Sequence, residues 1–337
     1  MDNFKQFRAL VDEYLKTDET YKIQIEIFMK YLEDNNLQRQ VFNLYSKHID
    51  DFFESLLETK IGVLSTLTRQ IVALKALFGF LMSREYKFAE LNGYICDSRF
   101  KERLASYVEQ SRNKEKLPSD LLLYILQKID DFIDNNSDQT QKKDIYLRFL
   151  IARLFIKLSL ILPLKATQML DICVGDITNP QCRTILHNGI TIKIPNNLRK
   201  DIIYTIRYVE EKYGKTYTDS DKIFHFLCHC LIKKITTTSI RDILERVYEI
   251  LEINEMLETI PVGKKEMHIY TAECYKLTAI ANMLENGVNI VYLTKLTGLD
   301  IGTLVSTVDL EKQFSNRDVV STDINNAMLA SEYYEYL

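Results

Sequence analysis

The sequence predicts a mainly α-helical protein of two domains, an N-terminal helical bundle and a second helical domain that carries one small β-hairpin. Three observations predict it. The 337 residues include only 10 Gly and 5 Pro, so turns are few, while 46% hydrophobic residues can supply a core to each half. Apolar residues recur at helical spacing along most of the chain. In the second half Ile190-Thr-Ile-Lys-Ile194 alternates with period two, and Asn188-Gly189 stands just before it as a turn signal.

The first element runs from Phe4 to Leu15, with Phe4, Phe7, Leu10, Val11 and Leu15 along one face. Helices over about Thr20–Leu32, Val41–Leu57 and Leu64–Met82 follow, the last strongly amphipathic through Leu67, Ile71, Leu74, Leu77, Phe78 and Leu81. Four helices with short polar joints make a small bundle, assigned to residues 1–98. Residues 99–116 read as a basic linker with little apolar pattern around Ser111-Arg112-Asn113-Lys114. Ser119 is expected to cap the helix that opens the second domain, residues 117–310. A second helix there covers about Asp144–Leu162, and the hairpin lies within Ile185–Pro195. Helices over about Asn197–Tyr213, Ser239–Leu251, Ala272–Asn286 and Ile290–Thr297 complete the domain. Residues 311–337 form a C-terminal tail that contains Tyr333, Tyr334 and Tyr336.

A net charge of −4 and a pI near 5.9 speak against a uniformly basic surface. The sum conceals a local excess, since residues 60–116 hold eleven Lys/Arg against six Asp/Glu. Six Cys are scattered without pairing signals, and no apolar stretch follows the charged N-terminus, so reduced thiols in a cytoplasm are expected. The most apolar run, Tyr146–Leu164, is interrupted by Arg148, Arg153 and Lys157, which predicts a buried helix and no membrane span. His225-Phe-Leu-Cys228-His229-Cys230 offers four metal-ligating side chains. A zinc site needs a second pair elsewhere, and apolar flanks favour a buried segment, so no metal or cofactor is assigned.

Three collinear stretches carry a resemblance. Leu162-Pro-Leu-Lys165-Ala-Thr-Gln168 continues to Gly175-Asp176-Ile177. Asn188-Gly189 leads through Ile192-Lys193-Ile-Pro195 to Leu198. Glu273-Cys-Tyr-Lys276 is followed by Leu284-Glu-Asn-Gly287-Val and Leu296-Thr-Gly298. In this order they resemble the catalytic domain of the tyrosine recombinase (phage integrase) family, and the N-terminal bundle resembles that family's core-binding domain. The resemblance spans about residues 1–310. It implies a two-domain fold that closes around double-stranded DNA, with the helical bundle in the major groove and the second domain on the backbone.

The departures from the family pattern carry the functional expectation. The family grips the scissile phosphate with two Arg forks, helped by Lys and His, while a Tyr attacks phosphorus. Here the first Arg position is Lys165 and the Glu three residues on is Gln168; the hairpin Lys falls near His187. In the third block the first His is Glu273, the Arg is Lys276, and the His after Gly298 is Leu299. The nucleophile belongs about nine residues beyond Gly298, yet no Tyr occurs between Tyr292 and Tyr333. Lys offers a point charge where Arg offers a planar fork. Without a Tyr hydroxyl no covalent intermediate forms at that place.

The expectation is therefore a sequence-specific DNA-binding protein that is not an enzyme, acting as a transcriptional repressor of a temperate phage or other mobile element. An active recombinase with a nucleophile in the tail, and a recombination accessory factor, are the competing readings. Phosphate contacts are assigned to Lys165, Lys276, Lys193 and Arg199 in the second domain and to Arg99, Lys101, Arg103, Arg112 and Lys114 in the linker. Arg69 and Lys75, on the polar face of the fourth helix, are assigned to base-edge reading. The tail is expected to support self-association, as C-terminal segments do in the family.

Overall fold

The structure is a computed structural model that describes residues 3–109, 115–136, 143–178 and 183–308. The chain divides into two compact units, the first holding residues 1–112 together with 260–267, the second the remainder.

Unit 1 contains α1 (Asn3–Thr17), α2 (Lys22–Asp34), α3 (Ser46–Thr59), α4 (Leu64–Ser83), α5 (Ala89–Cys96) and α6 (Ser98–Ala105). The period of 3.6 puts Leu67, Ile71, Leu74, Leu77, Phe78 and Leu81 of α4 inward, and all six are buried. A chain of edge-to-face rings fills the centre: Phe28 meets Phe52 at 5.1 Å, Phe52 meets Phe53 at 5.2 Å, and Phe53 meets Phe100 at 5.4 Å. By length and composition α4 could cross a membrane, but its apolar face is the middle of this core.

The linker expected to begin at residue 99 begins later. Residues 98–105 form α6, opened by Asp97, whose carboxylate accepts the Arg99 N–H at 2.9 Å. Phe100 and Leu104 lie one turn apart and are buried in the unit 1 core. Phe100 and Leu104 are the only large apolar residues among the eight, too thin a stripe to read as a helix. Helix α5 also lies in a stretch to which the pattern assigned no element.

Residues 260–267 carry most of a second hairpin, β3 (Thr259–Val262) and β4 (Lys265–His268), which sequence reading did not foresee. Within unit 1 its turn meets the backbone before α4. The Gly263 N–H donates to the Glu109 carboxylate at 3.0 Å, and the Glu109 N–H donates to the Gly62 carbonyl at 3.0 Å. A Cβ on Gly62 would stand 2.6 Å from the Lys264 nitrogen, so glycine is required where the two backbones cross.

Unit 2 is built on α8 (Lys143–Ile161), which packs against α7 (Ser119–Asn136), α11 (Asn196–Tyr213), α13 (Thr237–Leu251) and α14 (Cys274–Glu285). Because four helices surround it, α8 is apolar all round, and the expected buried helix is found. Its two inward cations are matched. Arg153 lies 3.1 Å from Asp130 and 3.3 Å from Asp201, and Lys157 lies 2.8 Å from Asp201. Shorter elements are α9 (Ala166–Leu170), α10 (Val174–Thr178), α12 (Ile223–Cys228), α15 (Ile290–Thr297), α16 (Ile301–Val308) and one 3-10 turn at Asn254–Met256. The expected hairpin is β1 (Thr184–His187) and β2 (Ile190–Lys193), antiparallel with His187 opposite Ile190. Its turn takes φ of 48° at Asn188 and 76° at Gly189, the pair of positive values that a two-residue hairpin of this twist needs.

Candidate nucleic-acid interface

In unit 2 three short elements meet. Lys165 stands at the N-cap of α9 in extended backbone, exposed, and its N–H donates to Gln168 Oε1 at 3.2 Å. Gln168 Nε2 is 3.8 Å from where a Cβ on Gly298 would lie. Gly298 ends α15 in the left-handed region at φ 68°. From the β1–β2 turn, Asn188 Nδ2 donates to the carbonyls of Lys295 at 3.2 Å and Leu296 at 3.5 Å. The α9 start, the hairpin turn and the α15 end are thus joined by amide side chains. Sequence reading saw Asn188 only as a turn residue; its role as a bridge depends on a partner 107 positions away.

His187, next to Asn188 on β1, has a buried Nε2 without a partner among the described residues. Leu299 is buried in a small apolar cluster with Ile280, Ala281, Leu293 and Leu304, so the position after Gly298 is part of the core. Asp300 then starts α16, accepting from the Thr303 hydroxyl at 2.5 Å and the Thr303 N–H at 2.8 Å, and these hydrogen bonds hold its carboxyl below the usual carboxylate range. No tyrosine lies on α16, whose last two side chains are outside the described ones.

Helix α14 joins the same cluster through Ile280 and Ala281. It begins Cys274-Tyr275-Lys276, with all three side chains buried. The Tyr275 hydroxyl hydrogen-bonds the Tyr248 hydroxyl on α13, and burial raises both phenols well above their ordinary range. Lys276 is 6% exposed, with Nζ 3.9 Å from Glu273 Oε1. It is therefore less accessible than an ordinary surface phosphate contact and carries a counter-charge beside it.

The remaining assigned residues are dispersed. Lys193 is exposed at the end of β2, and Arg199 is half-buried in the first turn of α11. In unit 1, Arg69 is exposed on α4, with Val72 also exposed one turn on, whereas Lys75 is half-buried. Arg99 and Lys101 are exposed on α6. Arg103 is exposed too, but its guanidinium is committed to Asp50 at 2.5 Å and to the Tyr94 hydroxyl at 2.8 Å. Arg112, Lys114 and the tail lie outside the described residues.

Of the segment with four metal-ligating side chains, His225 and Cys228 lie on α12, and His229 and Cys230 directly follow it. Cys228 is fully buried, which pushes its thiol up, while His225 and His229 are exposed one turn apart. Among the described residues no three His, Cys, Asp or Glu gather as metal ligands. These histidines instead edge a lysine-lined cleft for which the sequence analysis gave no expectation.

No family model matches the sequence, and no curated protein matches it. Solved structures do resemble the fold. The integrase of the Tn1549 transposon, residues 82–397 in complex with circular intermediate DNA, is 14% identical with a TM-score of 0.59, covering 89% of this chain and 94% of that one. The XerH site-specific recombinase bound to a palindromic difH substrate, in a post-cleavage complex, is 13% identical with a TM-score of 0.58, covering 89% and 78%. The XerH pre-cleavage complex on difH gives 0.53 at the same identity and coverage. The chain therefore has a tyrosine-recombinase-like fold: mainly helical, with small two-stranded sheets and counterparts of the core-binding and catalytic domains.

Proposed function

We propose that this chain is a sequence-specific double-stranded-DNA-binding protein that does not cleave strands, and that it works as a transcriptional repressor of a phage or other mobile element. The observation that carries the reading is what stands at the junction of α9, the β1–β2 turn and the end of α15. The fold holds these elements together as a phosphate-gripping site requires, yet it furnishes them with Lys165, Gln168 and Leu299. Strand transfer needs donors aimed at an anionic phosphorus centre and a nucleophile in line with it. Glu273 adds negative charge beside Lys276, and α16 brings no tyrosine hydroxyl. What persists is positive charge with little chemistry, which suits holding DNA.

The recombinases of similar fold are described on their DNA, and that supports the same partner here. Sequence selection would fall to the exposed face of α4, where Arg69 is available to base edges. Backbone grip would fall to Lys165, Lys193, Arg199, Arg99 and Lys101. A few phage repressors carry this fold without recombinase activity, the master repressor of SPβ-type prophages among them, and the chain resembles them in what it has lost. A repressor of this kind acts in the cytoplasm by covering a promoter, and the tail would link protomers on adjacent sites.

The test is a gel shift of the purified protein on fragments of its own genome, with denaturing gels of the same reactions. Discrete fragments should shift without nicks or covalent adducts, and the recovered sites should lie in promoters. A covalent protein–DNA adduct would overturn the non-enzymatic reading. Occupancy confined to attachment sites would replace the repressor with a recombination accessory factor.

A further inference from the structure

Unit 2 carries a half-open cleft of about 250 Å³ that none of the assigned residues lines. Its rim bears Lys215, Lys222, Lys233 and Lys234, with His225 and His229 beside them. Lys222 is ion-paired with Asp171, which leaves three lysines from two separate segments around the opening. Asp221 is the one carboxylate among the lining residues, and it is occupied by the Thr218 N–H at 2.7 Å and the Thr218 hydroxyl at 3.1 Å. The cleft therefore holds a net positive charge in a chain whose total is −4.

The surroundings indicate which anion fits. Lys233 and Lys234 run directly into α13, a 15-residue helix capped by Thr236, and Thr236, Thr237 and Thr238 are all exposed. Hydroxyls and the positive end of a helix dipole next to lysines make a site for phosphate oxygens. The phenyl ring of the cleft is closed to a nucleobase. Phe226 is 2% exposed, Lys215 Nζ lies over its ring at 5.7 Å, and Tyr217 packs on it edge-on at 5.7 Å. Among the lining residues the accessible rings are the imidazoles of His225 and His229, and the lysines outnumber them, which favours a nucleic-acid backbone as the bound anion.

We propose that this cleft is a second phosphate site, in which Lys215, Lys233 and Lys234 hold backbone phosphates of duplex DNA at the start of α13. The proposal rests on the DNA-binding reading above. Each lysine removed from a phosphate lowers the slope of log K against log salt by roughly 0.9, and weakens binding about eightfold at ~0.1 M salt.

The experiment is fluorescence-anisotropy titration of full-length protein on a shifted genomic fragment and on a random duplex, across a salt series. The variants are Lys233→Ala/Lys234→Ala, Lys233→Arg/Lys234→Arg, and the charge-matched control Lys16→Ala/Lys30→Ala in unit 1, all at exposed positions. The alanine pair should lose about 1.8 in slope and roughly sixtyfold in affinity on both duplexes. The arginine pair and the control should match wild type. Wild-type slope and affinity in the alanine pair, with wild-type protein binding well, would overturn the cleft and spare the DNA-binding reading. Absence of wild-type binding would sink both. Calorimetric binding of inorganic tripolyphosphate that the alanine pair abolishes, with DNA affinity unchanged, would assign the cleft to a free anion and overturn the DNA role.

Discussion

Replacing Glu273 by Gln tests whether the Lys276 region faces DNA, because it should move stability and affinity in opposite directions. Glu273 Oε1 lies 3.9 Å from Lys276 Nζ, and the lysine side chain is 7% exposed against 33% for the glutamate. A phosphate on the far side of that ammonium, at a charge-assisted distance of about 2.8 Å, would stand roughly 7 Å from the carboxylate. At an effective dielectric of ~20 the two anions repel by about 2 kcal/mol. Solvent reaches a third of Glu273, and screening reduces this to about 1 kcal/mol. Gln keeps the shape and removes the charge, so DNA binding should tighten by about fivefold, equally on specific and random duplexes. The free protein should lose about 1–2 kcal/mol, less than the 3–5 kcal/mol of a fully enclosed pair, since the contact is long and partly wet. Anisotropy titrations at ~0.1 M salt and urea melts of the free protein measure the two effects. Lower stability with unchanged or weaker DNA binding would show that no phosphate lies near Lys276, and would remove that residue from the interface.

Asp201→Ala leaves Arg153, 8% exposed, and Lys157 with Asp130 alone, and should cost about 2–4 kcal/mol in urea unfolding of unit 2. Glu249→Ala, which breaks the exposed Arg246 pair, should cost under about 0.5 kcal/mol, and equal losses would contradict the buried-network account. Gly263→Ala forces a residue to φ 60° and sets its Cβ 2.6 Å from the Gly62 carbonyl carbon, so it should lower the stability of unit 1 by about 1–3 kcal/mol or more. Gly189→Ala, with φ 76° but open space around it, should cost about 1–2 kcal/mol in unit 2, and a smaller effect at Gly263 than at Gly189 would refute the crossing. Burial raises the phenols of Tyr248 and Tyr275 above the ordinary value of 10.0. Neutral phenol is thereby stabilised in the fold, so that contribution is complete below about pH 10 and is lost as pH rises through the higher folded values. In an alkaline titration these two should ionise only together with loss of the helical signal; full tyrosinate absorbance near pH 10 with intact helices would refute their burial.

The sequence by itself determined the helical class, the hairpin and most of the helix positions, because those follow from local spacing. Leu67 to Leu81 must bury one face of a helix, and Asn188-Gly189 can take the two positive φ values of a tight hairpin turn. The absence of a tyrosine between Tyr292 and Tyr333 is likewise a property of the chain alone. Other features required partners far along the sequence. Helix α6 was hidden among charges because its helix is held by only Phe100 and Leu104, whose value comes from the core that receives them. Residues 260–267 pass to unit 1 on a backbone contact with Gly62, which no side-chain pattern encodes. Arg103 reads as a free linker cation until Asp50 is found at 2.5 Å. Lys276 reads as a surface phosphate contact until α14 turns it inward. The lysine cleft joins residues 215–222 to 233–234, and charge on separate segments becomes a site only where folding brings it together. Periodicity decides which face of an element is buried; tertiary structure decides what each polar group then meets.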